Sequence, residues 1–317
     1  MRFPVRNGTP NPAIGRGAGS RSGSLIIVVL VAVSVVTMLA LSLAARLRAE
    51  TAASDENRYR RETRQACRNA VILFAAQHLV ADTNGWDALV EEWAEPWERR
   101  DEGWVLRISG AGWQPRAADT AGLRDESAFI PLDAGNRPLL AILLHREAGI
   151  SENTAGTLAE NIVKGGPYVC RAQLADVKGL TPEALAAFEP HITFLPTESV
   201  NLNTASEKVL LAVFATAGTL DDAAARTLAG RILAFRRAGN YFTSAAPQSV
   251  ARSLGGLPSP EMLILTYCQN KIGVATDIFS GVAEATPARF WESGRRAGRA
   301  FFTYDRKSRR FLRWIEE

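Results

Sequence analysis

Residues 24–45 read SLIIVVLVAVSVVTMLALSLAA, an uncharged run of 22 residues. Crossing a hydrocarbon core in helical form takes ~20 apolar residues. The run is longer than the ~7–15 residues of a cleaved secretory signal, and it flows into Arg46 and Arg48 without a break. The pattern then changes, but nothing stops the helix. Neither Gly nor Pro occurs from Ser24 to Asn84, and Ala66, Cys67, Ala70, Val71, Phe74, Ala75 and His78 recur at three- and four-residue spacing. This predicts one helix over residues 24–80, with a transmembrane half followed by an amphipathic half, and Gly85 as the first breaker.

Past Gly85 the period shifts to two. Trp104–Ser109 alternates between glycines and reads as a strand, residues 128–132 are a weaker candidate, and residues 277–286, 299–304 and 311–315 read as three more. Between these strand-like regions lies a repeat. Residues 130–163 align without gaps on residues 200–233, with Leu132/Leu202, Leu140/Leu210, Thr157/Thr227, Leu158/Leu228, Ala159/Ala229 and Ile162/Ile232 identical. Helix starts are signalled by Asn203-Thr204, Asp221-Asp222 and Thr181-Pro182-Glu183. The expected class is α+β. The boundaries are a leader at 1–23, a transmembrane helix at 24–45, and an amphipathic helix with the first part of an α/β domain at 46–130. A helical domain inserted at 131–270 holds repeats 130–195 and 200–268, and closing antiparallel strands occupy 271–317.

Charge removes one class of partner. The 317 residues carry a formal net charge of +4, all of it from Arg2, Arg6, Arg16 and Arg21 in the leader. Residues 131–270 hold 11 basic against 12 acidic side chains, whereas phosphate binding draws on clustered Lys and Arg. Basic residues before the span place the N-terminus in the cytoplasm.

Candidate chemistry is sparse. Cys67, Cys170 and Cys268 have no zinc spacing; buried free thiols and a Cys170–Cys268 bridge are both compatible with them. His78, His145 and His191 stand in no catalytic motif, and no phosphate-binding loop occurs. The doublets Glu91-Glu92, Asp101-Glu102, Asp125-Glu126 and Asp221-Asp222 read as solvated surface or helix caps. Trp86, Trp93, Trp97, Trp104 and Trp113 suit half-buried core packing or burial against a partner. No residue is singled out as catalytic, and an enzyme is not expected.

A basic leader, Gly23, an immediate apolar span and an amphipathic extension resemble type IV pilin-like precursors. That resemblance implies cleavage by a prepilin peptidase between Gly23 and Ser24, with Leu25, Ile26, Ile27, Val28, Val29 and Leu30 opening the membrane anchor. Most pilins carry Glu at the fifth mature position, here Val28. The lack of that carboxylate resembles the K-type minor pseudopilins of type II secretion. In that family a "DExGxInLN" segment precedes one helical unit and "vNlNTA" opens a second. Here Asp125-Glu126-Ser127-Ala128-Phe129-Ile130-Pro131-Leu132-Asp133 matches the first imperfectly, and Asn201-Leu202-Asn203-Thr204-Ala205 matches the second. The ending Arg313-Trp314-Ile315-Glu316-Glu317 also resembles the family's, whereas Lys164-Gly165-Gly166 stands where the family has an acidic stretch.

The resemblance implies a pilin-like α/β domain and a single-pass inner-membrane protein with its soluble part in the periplasm. It also implies a tip component that initiates and caps a pseudopilus, with I- and J-type pseudopilins and the inner-membrane secretion platform as partners. No cofactor is expected, although calcium, which relatives bind through carboxylates and carbonyls, is the one ion to consider. The alternative is a membrane-anchored DNA-uptake protein using helix-hairpin-helix units, which the VNLNTAS turn also resembles. The neutral helical region disfavours it.

Overall fold

A computed structural model describes residues 20–101, 103–110, 121–217, 222–291 and 298–317. The chain divides into two compact units, the second beginning at Arg60. In the first unit every described residue belongs to helix α1 (Ser20–Phe74), and its large apolar side chains from Leu25 to Leu47 are all exposed. The few hydroxyls there are satisfied within the helix. Ser34 donates to Leu30 O at 2.8 Å, Thr37 to Val33 O at 2.7 Å and Ser42 to Leu39 O at 2.9 Å. This back-bonding suits a hydroxyl to an apolar solvent, where an unpaired polar group is costly. The helix is long and apolar enough to cross a membrane.

In the second unit α1 ends at Phe74 and a π-helical turn, Ala75–Val80, completes the expected helix. Cys67, Ala70, Val71, Phe74, Ala75 and Leu79 form its buried stripe; Phe74 alone contributes roughly 1.5–3 kcal/mol of apolar burial. The chain then forms strands β1 (Trp97–Asp101), β2 (Trp104–Ser109) and β3 (Arg124–Asp125).

Two helical repeats follow. The first runs β4 (Ile130–Pro131), α2 (Arg137–Ala148), α3 (Glu152–Gly165), α4 (Arg171–Ala175), α5 (Pro182–Phe188) and β5 (Ile192–Thr193). The second runs β6 (Val200–Asn201), α6 (Glu207–Ala215), α7 (Asp222–Arg237), α8 (Pro247–Ser253), α9 (Ser259–Cys268) and β7 (Ile272–Gly273). Each closes on itself by a short parallel pair, β4 with β5 and β6 with β7. Residues related by the offset of 70 sit in like places: Leu140/Leu210, Leu158/Leu228, Ala159/Ala229 and Ile162/Ile232 are all buried in one shared core. Thr157 and Thr227 each donate to the carbonyl four residues back.

The chain closes with β8 (Ile278–Pro287), β9 (Gly298–Asp305) and β10 (Arg310–Glu316). These join the early strands in one antiparallel sheet, ordered β1-β2-β8-β9-β10, with β3 also pairing β8. One face of the sheet, with Leu106, Ile108, Phe279, Ala283, Phe302 and Tyr304, packs on the α1 stripe as a second core. The approach is close. A Cβ at Gly298 would fall 1.7 Å from Thr63 Cγ2, so only glycine lets β9 sit there.

The α+β class with a long N-terminal helix and an antiparallel sheet is the one expected. Details differ. Residues 128–132 do not enter the sheet. Asp125 accepts from Ser127 N at 2.7 Å and starts a 3₁₀ turn that diverts the chain, so Ile130–Pro131 pairs with β5 instead. β1 escapes the alternation test because it is an edge strand whose four residues after Trp97 are exposed. The cap of α6 is Ser206, which accepts from Val209 N at 3.4 Å, and not Asn203-Thr204. All three cysteines are free thiols, Cys67 and Cys268 buried and Cys170 half-buried. Of the tryptophans, Trp93 is buried against Phe279, Trp97 meets Phe74 edge-on, Trp86 stacks on Tyr241 at 4.0 Å, and Trp104 is half-buried. Trp113, Glu102, Asp221 and Gly218 to Leu220 lie outside the described residues, as does most of the leader.

Candidate functional site

Where the sheet meets the two repeats, a polar junction replaces apolar packing. Asp87 and Asp125 are both buried there, as are Glu126, Asn201, Asn203, Thr204 and Thr276. Burying a carboxylate costs several kcal/mol unless donors surround it, and here they do. Arg306, in the turn between β9 and β10, grips Asp87 as a fork, Nη1 to Oδ1 at 2.8 Å and Nη2 to Oδ2 at 2.9 Å. Thr276 N donates to the same carboxylate at 2.7 Å. Burial pushes the Asp87 carboxyl above its ordinary value, and the Arg306 contacts pull it back.

Asp125 and Glu126 are adjacent, and each holds one repeat. Asp125 Oδ2 accepts from Asn201 Nδ2 at 2.8 Å and Thr204 Oγ1 at 2.5 Å, both from the second repeat. Glu126 Oε2 accepts from Thr193 Oγ1 of the first at 2.6 Å, while its Oε1 accepts from Arg124 Nε at 3.0 Å. Of the two readings of this doublet, solvated surface or helix cap, the cap holds for Asp125, which caps the 3₁₀ turn. Both acids are interior, however, because each takes donors from one of the two repeats. Burial raises the Asp125 carboxyl to about 6, and the Thr204, Thr276 and Asn201 side chains oppose that rise.

The five residues Asn201 to Ala205 each have a structural task. Asn201 Nδ2 also reaches Asp87 O at 3.1 Å, and its Oδ1 accepts from Asn203 N at 2.9 Å. Asn203 clamps Phe242 both ways, donating to its carbonyl at 2.9 Å and accepting from its amide at 2.7 Å. Thr204 serves Asp125, while Leu202 and Ala205 fill the helical core. Asn203 and Thr204 cannot cap α6, since their side chains are engaged here. Gly23 and Ser24 lie in α1, and Leu25, Ile26, Ile27, Val28, Val29 and Leu30 are all exposed along it.

The histidines have similar local duties. His78 Nδ1 meets Glu92 at 2.6 Å, His145 Nδ1 meets Ile150 O at 2.7 Å, and His191 is buried in a 3₁₀ turn. Asp82, Asp87 and Glu91 bring carboxylates within 4.8 Å of one another. Calcium takes 6–8 oxygen ligands, but this group does not fit it: the Arg306 guanidinium already neutralises Asp87. Glu91 accepts from Ala88 N at 2.7 Å, Trp93 Nε1 at 3.0 Å and Asn84 Nδ2 at 2.8 Å. Nothing in the sequence flagged Asp87, Thr276 or Arg306. They are distant in the chain and belong to no motif, whereas the Asp-Glu segment and the Asn-Leu-Asn-Thr-Ala segment were visible as separate matches.

No protein-family model matches the chain, and no curated protein matches its sequence. Its structure is similar to a chain in the crystal structure of the GspK-GspI-GspJ complex from the type 2 secretion system of enterotoxigenic Escherichia coli. The likeness has a TM-score of 0.52 at 13% identity and covers 86% of this chain and 99% of that one. The chain therefore shares its fold, over most of its length, with a chain of that secretion complex.

Proposed function

We propose that the chain is a K-type minor pseudopilin: a non-catalytic component of a type II secretion machine, anchored in the inner membrane by α1 with its second unit in the periplasm. The observation that carries this reading is the fold likeness over 99% of a chain from the GspK-GspI-GspJ complex. The exposed apolar stretch of α1 supports the anchor. Asp87 and Asp125 are buried and committed to donors, which suits a role in holding the fold.

The finer reading is a tip position. Val28 replaces the glutamate that shaft subunits use to pair a neighbour's amine, and a helical insertion of this bulk is tolerable only where no further copy stacks above. There the chain would meet I- and J-type pseudopilins, be matured by prepilin peptidase after Gly23, and contact the inner-membrane platform. The test is a strain lacking the chain. Secreted enzymes should accumulate in its periplasm, and the full chain should restore export. Unchanged secretion in the deletion strain would exclude the reading.

A further inference from the structure

The flank of α1 beside the β9–β10 end of the sheet is not uniformly polar. Arg68 and Ile72 of α1 and Ala76 and Val80 of the π-helical turn recur at four-residue intervals. Facing them is the end of the β9–β10 hairpin, with Tyr304, Arg309, Arg310 and Phe311. Together they line a groove of about 540 Å³. Its floor is apolar: Ile72 is 50% exposed, and Phe311 packs edge-on against Tyr304 and Trp314. Its rim is cationic and contains no carboxylate.

Nearby arginines are paired, Arg64 with Glu316 and Arg306 with Asp87. The three rim arginines have no ion-pair partner among the described residues; Arg68 lies 5.4 Å over the Phe311 ring. Arg309 is also the one non-glycine residue with positive φ among the described residues, at 56°. Glycine would adopt that conformation without strain, so an arginine there keeps a charge at a conformational cost, a pattern concentrated at functional positions.

We propose that this groove seats an amphipathic helix of a partner protein. The helix's apolar ridge would cover Ile72, Ala76, Val80 and Phe311, and its carboxylates would meet Arg68, Arg309 and Arg310. Helices dock in grooves through such ridges, and rim charges of opposite sign set register and partner choice. A concave apolar floor fits a helix ridge better than a flat anionic lipid surface. The identity of the partner as another pseudopilin rests on the secretion reading; its chemistry does not.

The experiment places a benzophenone amino acid at Ile72 of the full chain in the producing bacterium, irradiates, and maps the joined peptide. The expected adduct is with a pilin-like subunit, through a helix segment bearing Asp or Glu. Arg309→Glu with Arg310→Glu should lower its yield about tenfold, whereas Lys178→Glu with Arg252→Glu, the same charge change elsewhere, should not. Arg309→Gly removes one charge while relaxing the backbone, so a lower yield with unchanged or raised Tm assigns the loss to charge and not to misfolding. Adducts with lipid alone, no adduct, or a yield indifferent to the Arg309 and Arg310 reversal would overturn the proposal. An adduct with an acidic helix of a protein outside the secretion apparatus would support the groove and count against the secretion reading.

Discussion

Removing the Asp125 carboxylate tests whether the polar junction holds the lobes together. In Asp125→Ala the Asn201 amide, the Thr204 hydroxyl and the Ser127 amide lose an acceptor in a buried site. A bond to a charged acceptor is worth ~1.5–3 kcal/mol, and an orphaned buried donor costs ~1–3 kcal/mol. Against this, the buried charge is itself unfavourable. Its carboxyl sits at about 6 instead of 3.8, which amounts to about 3 kcal/mol at neutral pH. The net expectation for Asp125→Ala at pH 7 is a loss of ~2–4 kcal/mol.

The pH dependence has a definite sign. A folded value above the unfolded one means that the native state holds the proton more tightly, so the Asp125 contribution is greatest below about pH 4 and declines as pH rises through about 6. Asp125→Asn keeps one acceptor and cannot titrate, so its stability relative to the native chain should rise between pH 4 and 7. The assay is urea unfolding of the detergent-solubilised chain at several pH values, followed by the fluorescence of buried Trp93, with Thr204→Val completing a double-mutant cycle. A coupling of ~1–2 kcal/mol between Asp125 and Thr204 is expected. Near-zero coupling, or a native-minus-Asn difference that does not change with pH, would refute the reasoning.

Gly298→Val should lower stability by ~1–3 kcal/mol through overpacking against Thr63, with partial recovery in Thr63→Ala; a Tm unchanged by Gly298→Val would show that α1 and β9 can separate freely. Burial pushes the Cys67 thiol up to about 12 and raises that of Cys268 as well, so iodoacetamide at pH 8 should label half-buried Cys170 first, with Cys67 reacting only after denaturation. Gly23→Ala should slow or abolish maturation, and mass spectrometry should find Ser24 as the mature N-terminus in the wild type; an intact Met1 start where prepilin peptidase is active would argue against cleavage there.

The sequence by itself determined what depends on local composition and period. The uncharged run at 24–45 and the spacing of Cys67, Val71 and Phe74 dictate a long helix, because no residue there breaks it and one stripe must be buried. The offset of 70 is visible because Leu140/Leu210 and Ile162/Ile232 fill equivalent core positions, and similar packing demands similar residues. Only the tertiary structure decided what those local rules leave open. Whether Asp125-Glu126 faces water or the interior depends on Thr193, Asn201 and Thr204, contributed by segments at least 67 residues away. Charged residues read as surface until a fold supplies enough donors to replace water. The same holds for Arg306 and Asp87, 219 residues apart. A salt bridge across that distance has no local signature, since its geometry exists only once the sheet has closed around the inserted repeats.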